Sequence, residues 1–300
     1  MTTTGRRATS LEELREIQAP MLTEAGMAAG LALELRPSDV VISPFGKSGT
    51  TWTQQIVHGM RTRGDMDFDD ISRVVPWIET STDLGIDLEA EQRGEPRAFK
   101  SHLSWDRVPK GGRYIVPLRD PGDALVSAYR FMEGWFVEPG AISIEDHARE
   151  NFMKPRPGGG YWAHLVSWWE QRDEDHVLLL AYEQMKVDLE GTVRRIAAFL
   201  DMPLDDELFE IVMRQSSLEF MTQYKDRFDD FLMRRRSEEV CGLPPGSDSA
   251  KVRAGEVGSR KAELPAEIQA ELDTRWTEEV TPQLGFASYD ELLEEMRRRW

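Results

Sequence analysis

Asp39-Val40-Val41-Ile42-Ser43 runs directly into Pro44-Phe45-Gly46-Lys47-Ser48-Gly49-Thr50-Thr51-Trp52, and the reading of this stretch decides the fold. Residues 39–43 are apolar and β-branched enough for a buried strand. From 50 to 63 the period changes to that of a helix, with Trp52, Ile56 and Met60 on one stripe. A strand, a glycine-containing turn and a helix in this order aim free backbone N–H groups at whatever sits in the turn. Lys47 adds a point charge, and the hydroxyls of Ser48, Thr50 and Thr51 add donors, so the turn is expected to bind phosphate rather than to be a solvated connection. It is not a nucleotide-triphosphate P-loop of the Walker A kind. That motif needs a glycine five positions before the glycine of Gly46-Lys47-Ser48, and Val41 stands there.

The same alternation continues outward. Segments 97–100 and 113–118 are expected as short strands, the second leading through Arg119-Asp120-Pro121 into a helix over 122–133, with Pro121 suited to a first turn. An aromatic helix is predicted over 161–172, a buried strand over 176–181, and a helix over 188–200 capped by Asp188 with Pro203 beyond its end. The last helix, 289–299, opens with acids after Ser288 and closes on Arg297, Arg298 and Arg299; it reads as a solvated surface helix. The clusters at 155–160 and 242–250 are short enough to be loops, and no repeat is present. The expectation is one α/β domain over 1–300: a mostly parallel central sheet flanked by helices, with ligands beyond the strand C-termini.

Composition narrows the function classes. With 37 Lys and Arg against 54 Asp and Glu the net charge is −17, so a nucleic-acid partner is not expected. The 40% hydrophobic content and nine Trp belong to a chain with a core, and runs such as 177–182 are far too short to span a membrane. Cys241 stands alone, which removes intrachain disulfides and multi-cysteine metal sites. The N-terminal MTTTGRRATS lacks an apolar stretch after its arginines, so no leader or anchor is read and a cytoplasmic location is expected.

Lys47-Ser48-Gly49-Thr50-Thr51-Trp52 resembles the phosphosulfate-binding loop of the cytosolic-type sulfotransferases, whose donor is 3′-phosphoadenosine 5′-phosphosulfate (PAPS). The resemblance extends in register to Lys100-Ser101-His102-Leu103, to Arg119 with Ser127, to Tyr161-Trp162 and Trp168-Trp169-Glu170, and to Tyr182-Glu183-Gln184-Met185-Lys186. It implies a donor-site core over about 38–220 and a 3′-phosphate segment over about 250–262. His102 follows a strand end, and an imidazole titrates near neutrality; the resemblance makes it the base that takes the acceptor's proton. Lys100 is then a nearby charge on the transferring group, and Lys47 the electrophile at the bridging oxygen of the leaving phosphate. His58, His147, His164 and His176 match no catalytic position and read as structural or surface residues.

The resemblance also assigns Arg119 and Ser127 to the 3′-phosphate, and Trp52, Tyr182 and Ser216 to the adenine. Arg253 and Gly255 are carried over from the C-terminal Arg-Lys-Gly-x-x-Gly-Asp-Trp-Lys element, in which Ala254 replaces the lysine and Ser259-Arg260 replace Asp-Trp. Leu218 stands where the family usually has an aromatic, and Gly46 where it often has proline. The family's short dimer motif is not recognisable in Arg260–Pro265, which leaves the oligomeric state open. A sulfuryl group in transfer carries less negative charge than a phosphoryl group, so no metal is expected.

Trp77 and Phe131 match positions that line an apolar acceptor pocket, and Trp105 after His102, Trp135 and Phe136 are also expected near the site. The implied acceptor is a hydroxyl on a small apolar or aromatic molecule or lipid, because sulfated polysaccharides call for basic clefts. Segments 78–96, 133–160 and 224–250 are read only as lids and loops. Two alternatives stay open: a protein that binds PAPS or its product, 3′,5′-adenosine diphosphate, without turnover, and a metal-dependent P-loop kinase using Asp120.

Overall fold

In the computed structural model, described over residues 5–154, 159–249, 251, 257–258 and 260–300, four strands form one sheet. They are β1 (Val40–Ile42), β2 (Ala98–Lys100), β3 (Arg113–Leu118) and β4 (Val177–Ala181), all parallel in the order β2-β1-β3-β4. The period of two along each strand splits the apolar residues between two cores. Val40, Ile42, Ala98, Ile115, Leu178 and Leu180 face one side, where Ile56, Val57 and Met60 of the helix Thr50–Thr62 cover them. Val41, Phe99, Tyr114, Val116 and Leu118 face the other, against Leu125 and the aromatic helix Tyr161–Trp169. Both faces being covered explains why these strands read as continuous apolar runs.

Register follows from these pairings: Ile42 lies beside Lys100 and Ile115, and Leu118 beside Ala181. At the opposite end, Arg97 and Asp39 are both fully buried, and Arg97 Nη2 donates to Asp39 Oδ2 at 2.6 Å and Nε to Oδ1 at 3.0 Å. Because the strands are parallel, their C-termini share one edge. Ser43, Ser101, Arg119 and Tyr182 each follow a strand end there, so the sheet delivers four segments of the expected site to one place.

The flanking helices start as their sequences predict. Asp120 accepts from Asp123 N–H ahead of Pro121–Trp135, and Asp188 accepts from Gly191 N–H ahead of Leu189–Phe199. Two expectations change. The C-terminal helix Tyr289–Arg298 is not simply solvated: Tyr289, Leu292, Leu293 and Met296 are buried in the core. Segments 133–160 and 224–250 are more than lids and loops. The first carries Ile144–His147 and a π-helical turn, Ala148–Phe152, and the second carries the helix Phe231–Cys241.

Candidate active site

The loop after β1 is shaped by two left-handed residues, Lys47 (φ 69°) and Gly49 (φ 98°). A Cβ on Gly49 would also come within 3.0 Å of the Tyr182 ring, so only glycine fits. Gly49 is the N-cap of Thr50–Thr62 and offers no side chain, which leaves the first-turn N–H groups without a side-chain cap. Arg119 Nη1 donates to Lys47 O at 2.8 Å, and its guanidinium lies 4.3 Å from the Tyr182 ring centroid. Trp52 Nε1 donates to Ser216 O at 2.8 Å, joining the loop helix to the 216–218 segment.

His102 is held at two points. Its N–H donates to Glu79 Oε1 at 2.7 Å, and Nδ1 lies 2.7 Å from Pro44 O. A carbonyl can only accept, so Nδ1 carries the proton and Nε2 is left as the basic nitrogen. Trp77 sets an edge-to-face contact on this ring at 5.0 Å, and Lys100 Nζ lies over the Trp77 ring at 3.6 Å. Lys47 Nζ lies 4.3 Å from the Phe131 ring.

These groups meet in a cavity of about 860 Å³. Its wall is formed by Lys47, Gly49, Thr50, Thr51, Trp52, Arg119, Ser127, Tyr182, Ser216 and Leu218 together with Trp77, Phe131, Trp135, Phe136, Met21 and Met233. Lys100 and His102 also line it. Ser48 does not: its hydroxyl is buried without a hydrogen-bond partner beneath the loop. Trp105 packs instead on Tyr114 and Trp168. Arg253, Ala254 and Gly255 lie outside the described residues.

Burial dominates the electrostatics. It pushes the Lys47 and Lys100 ammonium groups down to about 7, helped in both by Lys251. Burial, then Lys100, holds His102 well below the ordinary imidazole value, so its ring is neutral at pH 7. Glu79 is raised by burial. Three residues here carried no sequence signal of a site: Glu79 behind His102, and Asp230 and Lys251 on the cavity wall. Burial works against the charge on Asp230, yet Lys251, Lys100 and Lys47 hold its carboxyl at about 2.

Among the described residues no group of three or more His, Cys, Asp or Glu is placed to hold a metal ion, and no helix is long and apolar enough to cross a membrane. Asp120, the carboxylate a kinase reading would need, is committed to Asp123 N–H and to Arg260 Nη1 at 2.9 Å.

The sulfotransferase domain family model matches residues 37–297. The amine sulfotransferase of Oryctolagus cuniculus is 29% identical over 263 residues, covering 82% of each chain. Sulfotransferase 2A1 of Rattus norvegicus is 32% identical over 238 residues, covering 76% of this chain and 79% of the relative. In fold, the chain is similar to a retinol dehydratase solved with androsterone and the inactive cofactor PAP (TM-score 0.68, 18% identity, 93% of this chain and 97% of that one). It is likewise similar to mouse sulfotransferase SULT7A1 solved with PAP (TM-score 0.64, 22% identity, 86% and 90%). The match over 37–297, a range that includes the loop and strand-end segments lining the cavity, means that the chain belongs to the sulfotransferase-domain family.

Proposed function

We propose that this chain transfers a sulfonate group from PAPS to a hydroxyl of a hydrophobic or aromatic small molecule or lipid, with His102 as the general base. The residues present fit the donor. An uncapped helix N-terminus, Lys47, Arg119 and the buried, unpartnered Ser216 hydroxyl all line the cavity, and an anionic nucleotide needs such cations and donors. When bound, PAPS supplies the sulfuryl group and a bisphosphate leaving group, 3′,5′-adenosine diphosphate.

The observation that carries the proposal is the tautomer of His102. Its Nδ1–H is fixed on Pro44 O, its ring is kept neutral by burial and Lys100, and Nε2 is left free to take a hydroxyl proton. Lys100 and Lys47, both near pKa 7, become fully charged beside an anion and stabilise charge that develops during transfer. Arg119 and Ser127, with Arg253 and Gly255, hold the 3′-phosphate; Ser127 also engages Lys47. Thr50 and Thr51 present first-turn N–H groups to the 5′ end, and Ser48 with Gly49 shapes that turn. Trp52, Tyr182 and Ser216 receive the adenine.

Trp77, Phe131 and the neighbouring aromatics form an apolar wall for the acceptor, and His102 touches that wall directly. We take residues 1–300 as one sulfotransferase domain, with a donor core over about 38–220 and a 3′-phosphate segment over about 250–262. An acidic chain with one cysteine suits a cytoplasmic enzyme that engages neither nucleic acid nor metal. The test is turnover: PAPS with a panel of phenols and sterol alcohols, in EDTA. Formation of a sulfated acceptor with one equivalent of 3′,5′-adenosine diphosphate supports the reading. Product formation only with ATP and Mg²⁺ overturns it.

A further inference from the structure

Helix Phe231–Cys241 begins in an unusual way. Aspartate is among the best N-cap residues because its carboxylate accepts from the first-turn N–H groups. Asp230 occupies the N-cap position and makes no such bond. Asp70, from the start of the short helix Ile71–Val74, does the capping instead: its Oδ2 accepts from Leu232 N–H at 2.9 Å. Asp230 sits in the left-handed region (φ 50°, ψ 45°), is 3% exposed, and pairs with Lys251 Nζ on the wall of the cavity. Its second oxygen, Oδ1, is buried with no hydrogen-bond partner. Two residues before Lys251, Ser249 N–H donates to Oδ1 of the preceding acid, Asp229, at 3.0 Å, so the two neighbouring acids hold the same segment.

Each of these features costs stability. Desolvating two charges, leaving a carboxylate oxygen unpaired and holding a non-glycine residue at positive φ are individually worth kilocalories. An aspartate turned back on its own helix would avoid all three. What the arrangement achieves is a further ammonium group on the wall that already carries Lys47, Lys100 and Lys186, kept in place by an internal carboxylate while no anion is present. The titratable groups that face it are Asp230, Asp70, Lys47, Lys100 and the neutral His102.

We propose that Lys251 is a further donor-binding cation, directed at the anionic 5′ end of the donor that Lys47 faces, and that Asp230 is its resident counter-ion, which the donor's phosphate displaces. Resting on the PAPS reading above, this gives a role to Asp230, which lies outside the motifs that carry that reading, and to Lys251, in the segment over about 250–262 where that reading named only Arg253 and Gly255. It predicts opposite signs for the two halves of one ion pair. Removing Lys251 deletes an attraction for the donor; removing the charge of Asp230 deletes its competitor.

The test is calorimetric titration of 3′,5′-adenosine diphosphate in EDTA at pH 6, where Lys47 and Lys100 are largely protonated, with wild type, Lys251→Gln and Asp230→Asn. Lys251→Met serves if the glutamine variant does not fold. The expected result is a dissociation constant at least threefold weaker for the Lys251 variant and tighter than wild type for Asp230→Asn. A Lys251 variant within threefold of wild type, or an Asp230→Asn protein that binds no tighter than wild type, overturns the inference: the pair is then a strut between two segments. Failure of the wild type itself to bind the bisphosphate overturns the PAPS reading and this inference together, a pattern distinct from either variant result.

Discussion

Replacing His102 by alanine removes the one neutral imidazole on the cavity wall while leaving the donor's grip in place. The ring makes no contact with the loop hydroxyls, Arg119 or Ser216; its polar contacts run to Pro44 O and, through its backbone, to Glu79. A positioned general base contributes about 10²–10⁴-fold, which at 1.36 kcal/mol per decade is roughly 2.7–5.5 kcal/mol of barrier. His102→Ala is therefore expected to lower kcat at saturating PAPS by at least about a hundredfold. Binding of 3′,5′-adenosine diphosphate, followed by thermal shift, should stay close to wild type.

The pH dependence gives a second reading of the same residue. Burial, then Lys100, disfavours the imidazolium, so the acid limb of kcat/KM should lie below pH 6.5 and disappear in the variant. A variant that keeps a tenth of wild-type kcat, or an acid limb centred at or above pH 6.5, refutes the assignment.

Arg119→Ala deletes a charge-assisted contact and should weaken 3′,5′-adenosine diphosphate by about 1.5–3 kcal/mol in a calorimetric titration; an unchanged constant would remove Arg119 from the donor site. Leu218 is 42% exposed on the cavity rim where an aromatic would complete a stacking surface, so Leu218→Phe should tighten the same ligand by about 0.5–1.5 kcal/mol. No gain would mean that the base does not reach this residue. His164 is buried on Ser43 O and held near 3, chiefly by burial, so the folded state keeps it neutral and binds fewer protons than the unfolded chain. The wild type should thus lose stability as pH falls below 6.5, and the urea-unfolding gap between it and His164→Gln should narrow by about 1.6 kcal/mol from pH 6.5 to pH 5. A gap that stays constant with pH would show that His164 is not buried as the neutral form.

Where the sequence spoke clearly, it did so through periodicity and turn chemistry. Val40, Val41 and Ile42 could only be a strand buried on both faces, and Gly49 before a helical stripe could only be a helix entrance, so the first unit was legible to within a residue or two. Strand order was not legible, because all four strands are equally apolar and nothing local says that β2 lies outside β1. The last helix was misread as solvated: its ten residues are mostly charged, and its buried stripe of Tyr289, Leu292, Leu293 and Met296 is narrow.

In the site, Lys47, His102 and Arg119 were legible because each follows a strand end with a matching motif. Glu79, Asp230 and Lys251 were not, because their roles depend on long-range contacts. Asp230 before Phe231 looks locally like an ordinary N-cap, and only the folded chain shows Asp70, from far along the sequence, accepting from Leu232 N–H while Asp230 lines the cavity. Ser48 shows the converse: the motif named it, but the left-handed turn at Lys47 and Gly49 accompanies a hydroxyl buried beneath the loop.

The measurement that bears most directly on the central claim is a thermal-shift comparison of 3′,5′-adenosine diphosphate in EDTA with ATP in Mg²⁺. A ligand at about 100 times its dissociation constant adds about 2.7 kcal/mol to the folded state, a shift of several degrees for a domain of this size. The account predicts that the bisphosphate stabilises the protein without metal. Stabilisation by ATP and Mg²⁺ alone would contradict it.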